Sequence, residues 1–139
     1  MTTTPITLSD IAVYLETWAP LELAAKWDNN GIQIGDKDAE INTVLLTIDI
    51  DNKVLDYIDK QKPDLVISHH PLFFKPIKYI NLQRDMGRII KSLMTHDTHL
   101  YTMHTNLDAT ESGVNDALAL HYGFLPPQGT AISEDRKST

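Results

Sequence analysis

The stretch DLVISHHPLFF, residues 64–74, decides the fold. Leu65-Val66-Ile67-Ser68 is a short, mainly aliphatic run that follows Pro63, and it reads as a buried strand. It ends abruptly in His69-His70, and Pro71 biases His70 toward extended backbone and so directs both rings. Upstream, residues 43–50 (TVLLTIDI) predict another strand. Asp51 follows as a plausible N-cap for a helix over Asn52 to Gln61 that carries Val54, Leu55 and Ile58. Downstream, Met86, Ile89, Ile90, Leu93 and Met94 mark a helix from about Arg84 to His96. The strand HLYTMH, residues 99–104, comes next. Strands separated by helical patterns of roughly 10–15 residues imply βαβ units. The expected fold is therefore α/β, a mainly parallel sheet with flanking helices and right-handed crossovers. Ligands of such sheets bind beyond the carboxyl ends of the strands.

The flanks add four expectations. A first helix, roughly Ser9 to Ala19, is capped by Thr7 or Ser9, closed by Pro20, and striped by Ile11, Tyr14, Leu15 and Trp18. Asp28-Asn29-Asn30-Gly31 reads as a turn, and Ile32 and Ile34 as a short strand. A last helix over about Gly113 to Tyr122 carries Val114, Ala117, Leu118 and His121, and Gly123 stops it. One domain over residues 1–125 is expected, with residues 126–139 as a polar tail or linker.

Composition narrows the function classes. The chain has 139 residues, net charge −7 and scattered Lys and Arg, so neither a nucleic-acid footprint nor a membrane-binding basic run is visible. There is no cysteine, which removes disulfides, thiolate metal sites and cysteine nucleophiles and is compatible with a reducing cytoplasmic setting. The first residues, MTTTPITLSD, lack the pattern of a signal peptide. No apolar run approaches the ~18 residues of a membrane span. P-loop, G-x-G-x-x-G, H-E-x-x-H and G-x-S-x-G motifs are missing.

What remains is imidazole and carboxylate at strand ends. Adjacent side chains on an extended chain point to opposite faces, so His69 and His70 serve two ions, or bracket one cavity if the chain turns there. Neutral imidazole suits zinc, iron or nickel. The competing reading is that the pair caps a strand and bonds the loop. His104-Thr105-Asn106-Leu107-Asp108 again places a histidine and a carboxylate at a strand end. His104 is a ligand, an acid/base or a positioning group there, and Asp108 a ligand, a loop carboxylate or a helix cap. If the two strands are neighbours, their ends lie ~5 Å apart and the groups share a pocket. Asp49 and Asp51 could add another acid to the pocket, but the preferred readings are a solvated strand end and a helix cap. Trp27 could line a pocket, but a packed indole beside a turn is preferred. Gly113-Val114-Asn115-Asp116 offers amide groups to a phosphate, but capping by Ser112 or Asn115 explains it equally. His96, His99 and His121 have no ligand spacing and read as surface or packing residues.

Three motifs together resemble one family. Trp27-Asp28-Asn29-Asn30-Gly31-Ile32-Gln33-Ile34-Gly35, Ile67-Ser68-His69-His70-Pro71-Leu72-Phe73-Phe74, and His104-Thr105-Asn106-Leu107-Asp108-Ala109 with Gly113-Val114-Asn115-Asp116 occur in the order of the Nif-three-like family. That family is also known as the GTP cyclohydrolase 1 type 2 homologues. The resemblance implies a Nif-three-like α/β fold and a homo-oligomer, often a ring-like hexamer. It implies a centre of two divalent metal ions (Zn, Fe, Mn or Ni) acting on a small-molecule substrate. It further implies that His69, His70 and Asp108 are metal ligands, that His104 lines the site, and that Trp27, Asp28 and Asn29 border the substrate pocket. In a hydrolase, His104 would be the proton shuttle. The family's remaining ligands lie in a later His-x-x-x-Glu-type motif with no counterpart here, so the sequence matches the N-terminal half. The expected function is a divalent-metal-dependent hydrolase with an incomplete site. A non-catalytic metal-binding or regulatory interaction protein is the alternative.

Overall fold

A computed structural model describes residues 3–123. The predicted tail, residues 126–139, lies outside them. Four strands form one sheet: β1 (Gly31–Ile34), β2 (Val44–Thr47), β3 (Leu65–Ser68) and β4 (His99–Thr102), in the order β1-β4-β3-β2. β2, β3 and β4 run parallel in register, Thr47 beside Ser68 and Ser68 beside Thr102. β1 joins β4 antiparallel, with an irregularity between Ile32 and Ile34. Gly31 enters β1 at φ +96°, backbone that favours glycine.

β3 is central and alternates its side chains between two cores. Leu65 and Ile67 face α1 (Leu8–Trp18), together with Tyr101, Met103 and Ile41. Val66 faces α2 (Asn52–Gln61) and α3 (Asp85–Thr95), packing with Leu55, Ile58, Ile89, Leu93 and Leu100. The result is three layers, α/β/α. Capping follows the sequence at two helices. Thr7 and Asp10 form a reciprocal capping box on α1, and Asp51 accepts from the Val54 amide at α2.

Several expectations are corrected. Regular strand covers only Val44–Thr47 of the predicted 43–50 and only His99–Thr102 of the predicted 99–104, with a few ladder hydrogen bonds continuing beyond them. β2 is an edge strand, so Val44 and Leu46 are exposed. The buried side of α1 runs through Leu8, Ile11, Ala12 and Leu15, leaving Tyr14 and Trp18 exposed. On α3, Met86 and Met94 fall outside the buried set, and on α5 (Val114–His121) Leu118 and His121 are exposed. The turn sits earlier than Asp28–Gly31, closed by the Asp28 amide on the Ala25 carbonyl (3.0 Å). Gly113 caps α5 without a side-chain bond. The Asp116 carboxylate accepts from the Ser112 amide instead (2.7 Å).

Candidate metal centre

The parallel ladder continues past the strands and fixes the histidine backbone. The His69 amide donates to Thr47 and the His70 amide to Ile48, while the Met103 amide donates to Ser68. The Ser68 and Thr102 hydroxyls join the ends of β3 and β4 (3.0 Å), and the Ser68 hydroxyl also bonds the His70 carbonyl (2.9 Å). The chain bends at His69-His70. That bend brings both rings to one side, with centroids 5.2 Å apart.

His104 completes a near-equilateral triangle, 5.2 Å from His69 and 5.4 Å from His70 between ring centroids. One nitrogen of each ring lies within 4.8 Å of the others. A short helix, α4 (Thr105–Ala109), starts at His104. The sequence predicts no helix over this segment. The turn of helix closes through the Asp108 amide on the His104 carbonyl (3.1 Å), so the four-residue spacing puts both side chains on one face. Asp108 Oδ1 lies 3.5 Å from His69 Nε2.

Each ring has one nitrogen already engaged. His69 Nδ1 meets the Met103 carbonyl at 2.7 Å, and a carbonyl only accepts, so Nδ1 carries the proton and Nε2 keeps a lone pair. His70 Nδ1 donates to Asp49 Oδ1 at 2.6 Å. His104 Nδ1 donates to both oxygens of Asp28, at 3.0 and 2.9 Å. Metal-binding histidines carry this type of support, with the far N–H fixed on a carbonyl or carboxylate. The donor set therefore fits a divalent transition metal. A tetrahedral ion bound at ordinary Zn–N and Zn–O distances spans about 3.4 Å between donors, close to the His69–Asp108 separation.

Asp28 is the electrostatic anchor. Burial pushes its carboxyl up, but hydrogen bonds from His104, the Thr105 hydroxyl, Asn30 and the Thr105 amide outweigh that and hold it well below the usual carboxylate range. The Thr105 hydroxyl donates to Asp28 (2.6 Å) and accepts from the Ala25 amide (2.9 Å), tying the turn to α4. Asn30 Oδ1 accepts the His104 amide (2.8 Å).

The sequence-predicted residues thus gather as follows. His69, His70, His104 and Asp108 converge, and Asp28 stands directly behind His104. The Asn29 side-chain amide donates to the Phe73 carbonyl and to Gln33. Trp27 is exposed rather than packed, 5.6 Å from Phe74 and edge-on to His104 at 6.4 Å between centroids. Asp49 is not a free strand end, because it supports His70. Its position two residues past the end of β2, matching His70 two residues past the end of β3, was the available signal. The roles of Asn30, Thr105 and Phe74 left no comparable mark. His96 bonds Asp59 (3.1 Å) and His99 accepts from the Asp36 amide (3.2 Å), both away from the cluster.

The profile of the Duf34/NIF3 family (NGG1p interacting factor 3) matches residues 6–127. The chain belongs to that family. Among its DUF34/NIF3 relatives, a Listeria innocua protein named GTP cyclohydrolase 1 type 2 homolog is 38% identical over 121 residues, covering 87% of this chain and 32% of the relative. A Clostridium perfringens protein of the same name is 36% identical over 117 residues, covering 84% of this chain and 45% of its own length. Reduced HcgD from Methanocaldococcus jannaschii superposes with a TM-score of 0.79 at 36% identity, over 88% of this chain and 49% of that one. A Bacillus cereus protein related to NIF3 gives 0.80 at 33% identity, over 87% and 33%. The chain therefore spans about a third to a half of the DUF34/NIF3 proteins it matches.

Proposed function

We propose that this chain carries the N-terminal half of a divalent-metal-dependent hydrolase centre. The observation that supports this best is the engagement of all three Nδ1 atoms, which leaves three Nε2 lone pairs beside the Asp108 carboxylate. His69, His70 and Asp108 would hold metal, with zinc, iron, manganese or nickel suited to this nitrogen-and-oxygen set. Bound metal would lower the pKa of a water toward neutrality and polarise a carbonyl or phosphoryl oxygen. His104, fixed by Asp28 in the tautomer with a free Nε2, would accept a proton from the attacking water and return it to the leaving group. The ring nitrogens lie within 4.8 Å of one another, close enough to share one coordination sphere, and a complete site would hold two ions, as the family resemblance implies. A small heterocycle or phosphoester is the expected substrate, in the cytoplasm, in a homo-oligomer of the ring-like kind.

A second reading has its own support. The chain covers only 32–45% of the two curated relatives above, and the cluster offers few ligands for two ions. A metal-binding or interaction role without turnover follows from that.

Elemental analysis of untagged protein, with Zn, Mn, Fe and Ni titrations, tests the shared part. Stoichiometric uptake that His69→Ala and Asp108→Ala each lower by about 10-fold or more is expected. Uptake unchanged in both variants would reject the centre. Phosphoester hydrolysis and ring opening of GTP by the loaded protein then separate the readings, since turnover lost in His104→Ala, with metal retained, supports the hydrolase.

A further inference from the structure

We propose that the cavity between the starts of α2 and α3 is a binding site for a small zwitterion, a free α-amino acid with a short aliphatic side chain. It is separate from the candidate metal centre: none of His69, His70, His104, Asp108 or Trp27 lines it.

The fold builds this cavity past the carboxyl end of β2. Beyond Thr47 the chain runs through Ile50 and Asp51 into α2. Ile50, Asp51, Asn52 and Leu55 line one side, and Asp85, Arg88 and Ile89 from the first turns of α3 line the other. The volume is about 170 Å³. An apolar cavity of about 150 Å³ holds benzene, and drug-sized ligands need about 300 Å³ or more, so the occupant is small.

The lining divides by chemistry. Leu55 and Ile89 are buried members of the core around Val66, and Ile50 packs against that core, so they make an apolar base. Asp51, Asn52, Asp85 and Arg88 are exposed and make a polar rim. Both signs of charge on the rim keep binding capacity. Asp51 spends Oδ1 on the Val54 amide (2.9 Å), which leaves Oδ2 for an ammonium group. Arg88 lies 3.7 Å from Asp85, beyond hydrogen-bonding length, so its guanidinium retains donors for a carboxylate. Guanidinium and carboxylate pair two-pronged where the geometry allows. A plain anion at this rim meets Asp51 and Asp85, and a plain amine meets Arg88. A like charge repels each of them, whereas an amino acid offers each rim charge its opposite and gives the base an aliphatic group.

The test follows methyl NMR signals of the full chain after EDTA treatment, so that an amino acid cannot act by chelating metal at the histidines. L-alanine and L-valine should shift Ile50, Leu55 and Ile89 saturably. Isovalerate, which lacks the ammonium, and isobutylamine, which lacks the carboxylate, should each bind about three-fold or more weakly than L-valine. Arg88→Gln should weaken L-valine by a similar factor without weakening isobutylamine. Asp51→Asn, which keeps a good N-cap, should weaken L-valine without weakening isovalerate. Absence of a saturable shift with both amino acids overturns the site. Isovalerate or isobutylamine binding as tightly as L-valine overturns it in favour of a simple ion site. Undiminished L-valine binding by the double variant Arg88→Gln with Asp51→Asn overturns it as well.

Discussion

The Asp28 side chain is fully buried and accepts from His104, Thr105 and Asn30. Its folded pKa is depressed, so its contribution is present above the unfolded value near ~3.9 and lost as pH falls toward the folded value. Asp28→Asn should cost about 2 kcal/mol at neutral pH, since it leaves donors facing an amide group. In urea titrations that gap should narrow as pH drops below about 4. A gap constant down to acid unfolding would contradict the assignment. Tyr101 behaves oppositely. Its hydroxyl is buried without a partner among the described residues, and burial, then the Glu16 carboxylate, push its pKa up to about 12. A raised value means stability is complete below the unfolded value near ~10 and is lost as pH rises through the folded one. Tyr101→Phe should be neutral or stabilising by up to about 1 kcal/mol, and should remove that alkaline loss in thermal melts.

At the scale of elements, Gly87 lets α3 pack closely against the backbone of the loop before it, at Asn81 and Leu82. A Cβ there would lie 2.0 Å from the Asn81 carbonyl oxygen and 3.0 Å from the Leu82 Cα. Alanine normally helps a helix interior by about 1 kcal/mol, but backbone cannot give way as a side-chain tip can. Gly87→Ala should therefore destabilise by about 1–3 kcal/mol, read by chemical denaturation. A stabilised variant would show the loop is not held there. α4 is the other decisive element. It has five residues, and its propensity signal is too short to read, yet it turns His104-x-x-x-Asp108 into a one-sided pair. Asn106, buried inside it, donates to the Ala19 carbonyl, so α1 holds the helix from behind (2.9 Å).

Across the whole molecule, the sheet is unevenly covered. β2 is an edge, and Val44, Leu46 and Ile48 leave apolar surface beside unpaired backbone. Such an edge templates association unless something covers it. The chain should self-associate at micromolar concentrations, and Leu46→Lys should shift sedimentation toward monomer without lowering the melting temperature. Identical sedimentation of both proteins would place association elsewhere. The strand–helix alternation, the parallel order of three strands and the histidines at their ends were legible in the sequence, because buried strands and amphipathic helices impose local periods. So was the gathering of His69, His70 and Asp108, through motif order. The sequence could not say that Asp49 supports His70, that Asp28 fixes His104, or that Trp27 stays open. Those facts depend on contacts between residues 21 to 76 positions apart, or on their lack, which no local pattern encodes. Local chemistry determined which groups could act. Only the bend after β3, the turn of α4 and the clamp of Asp28 decided that they face one another.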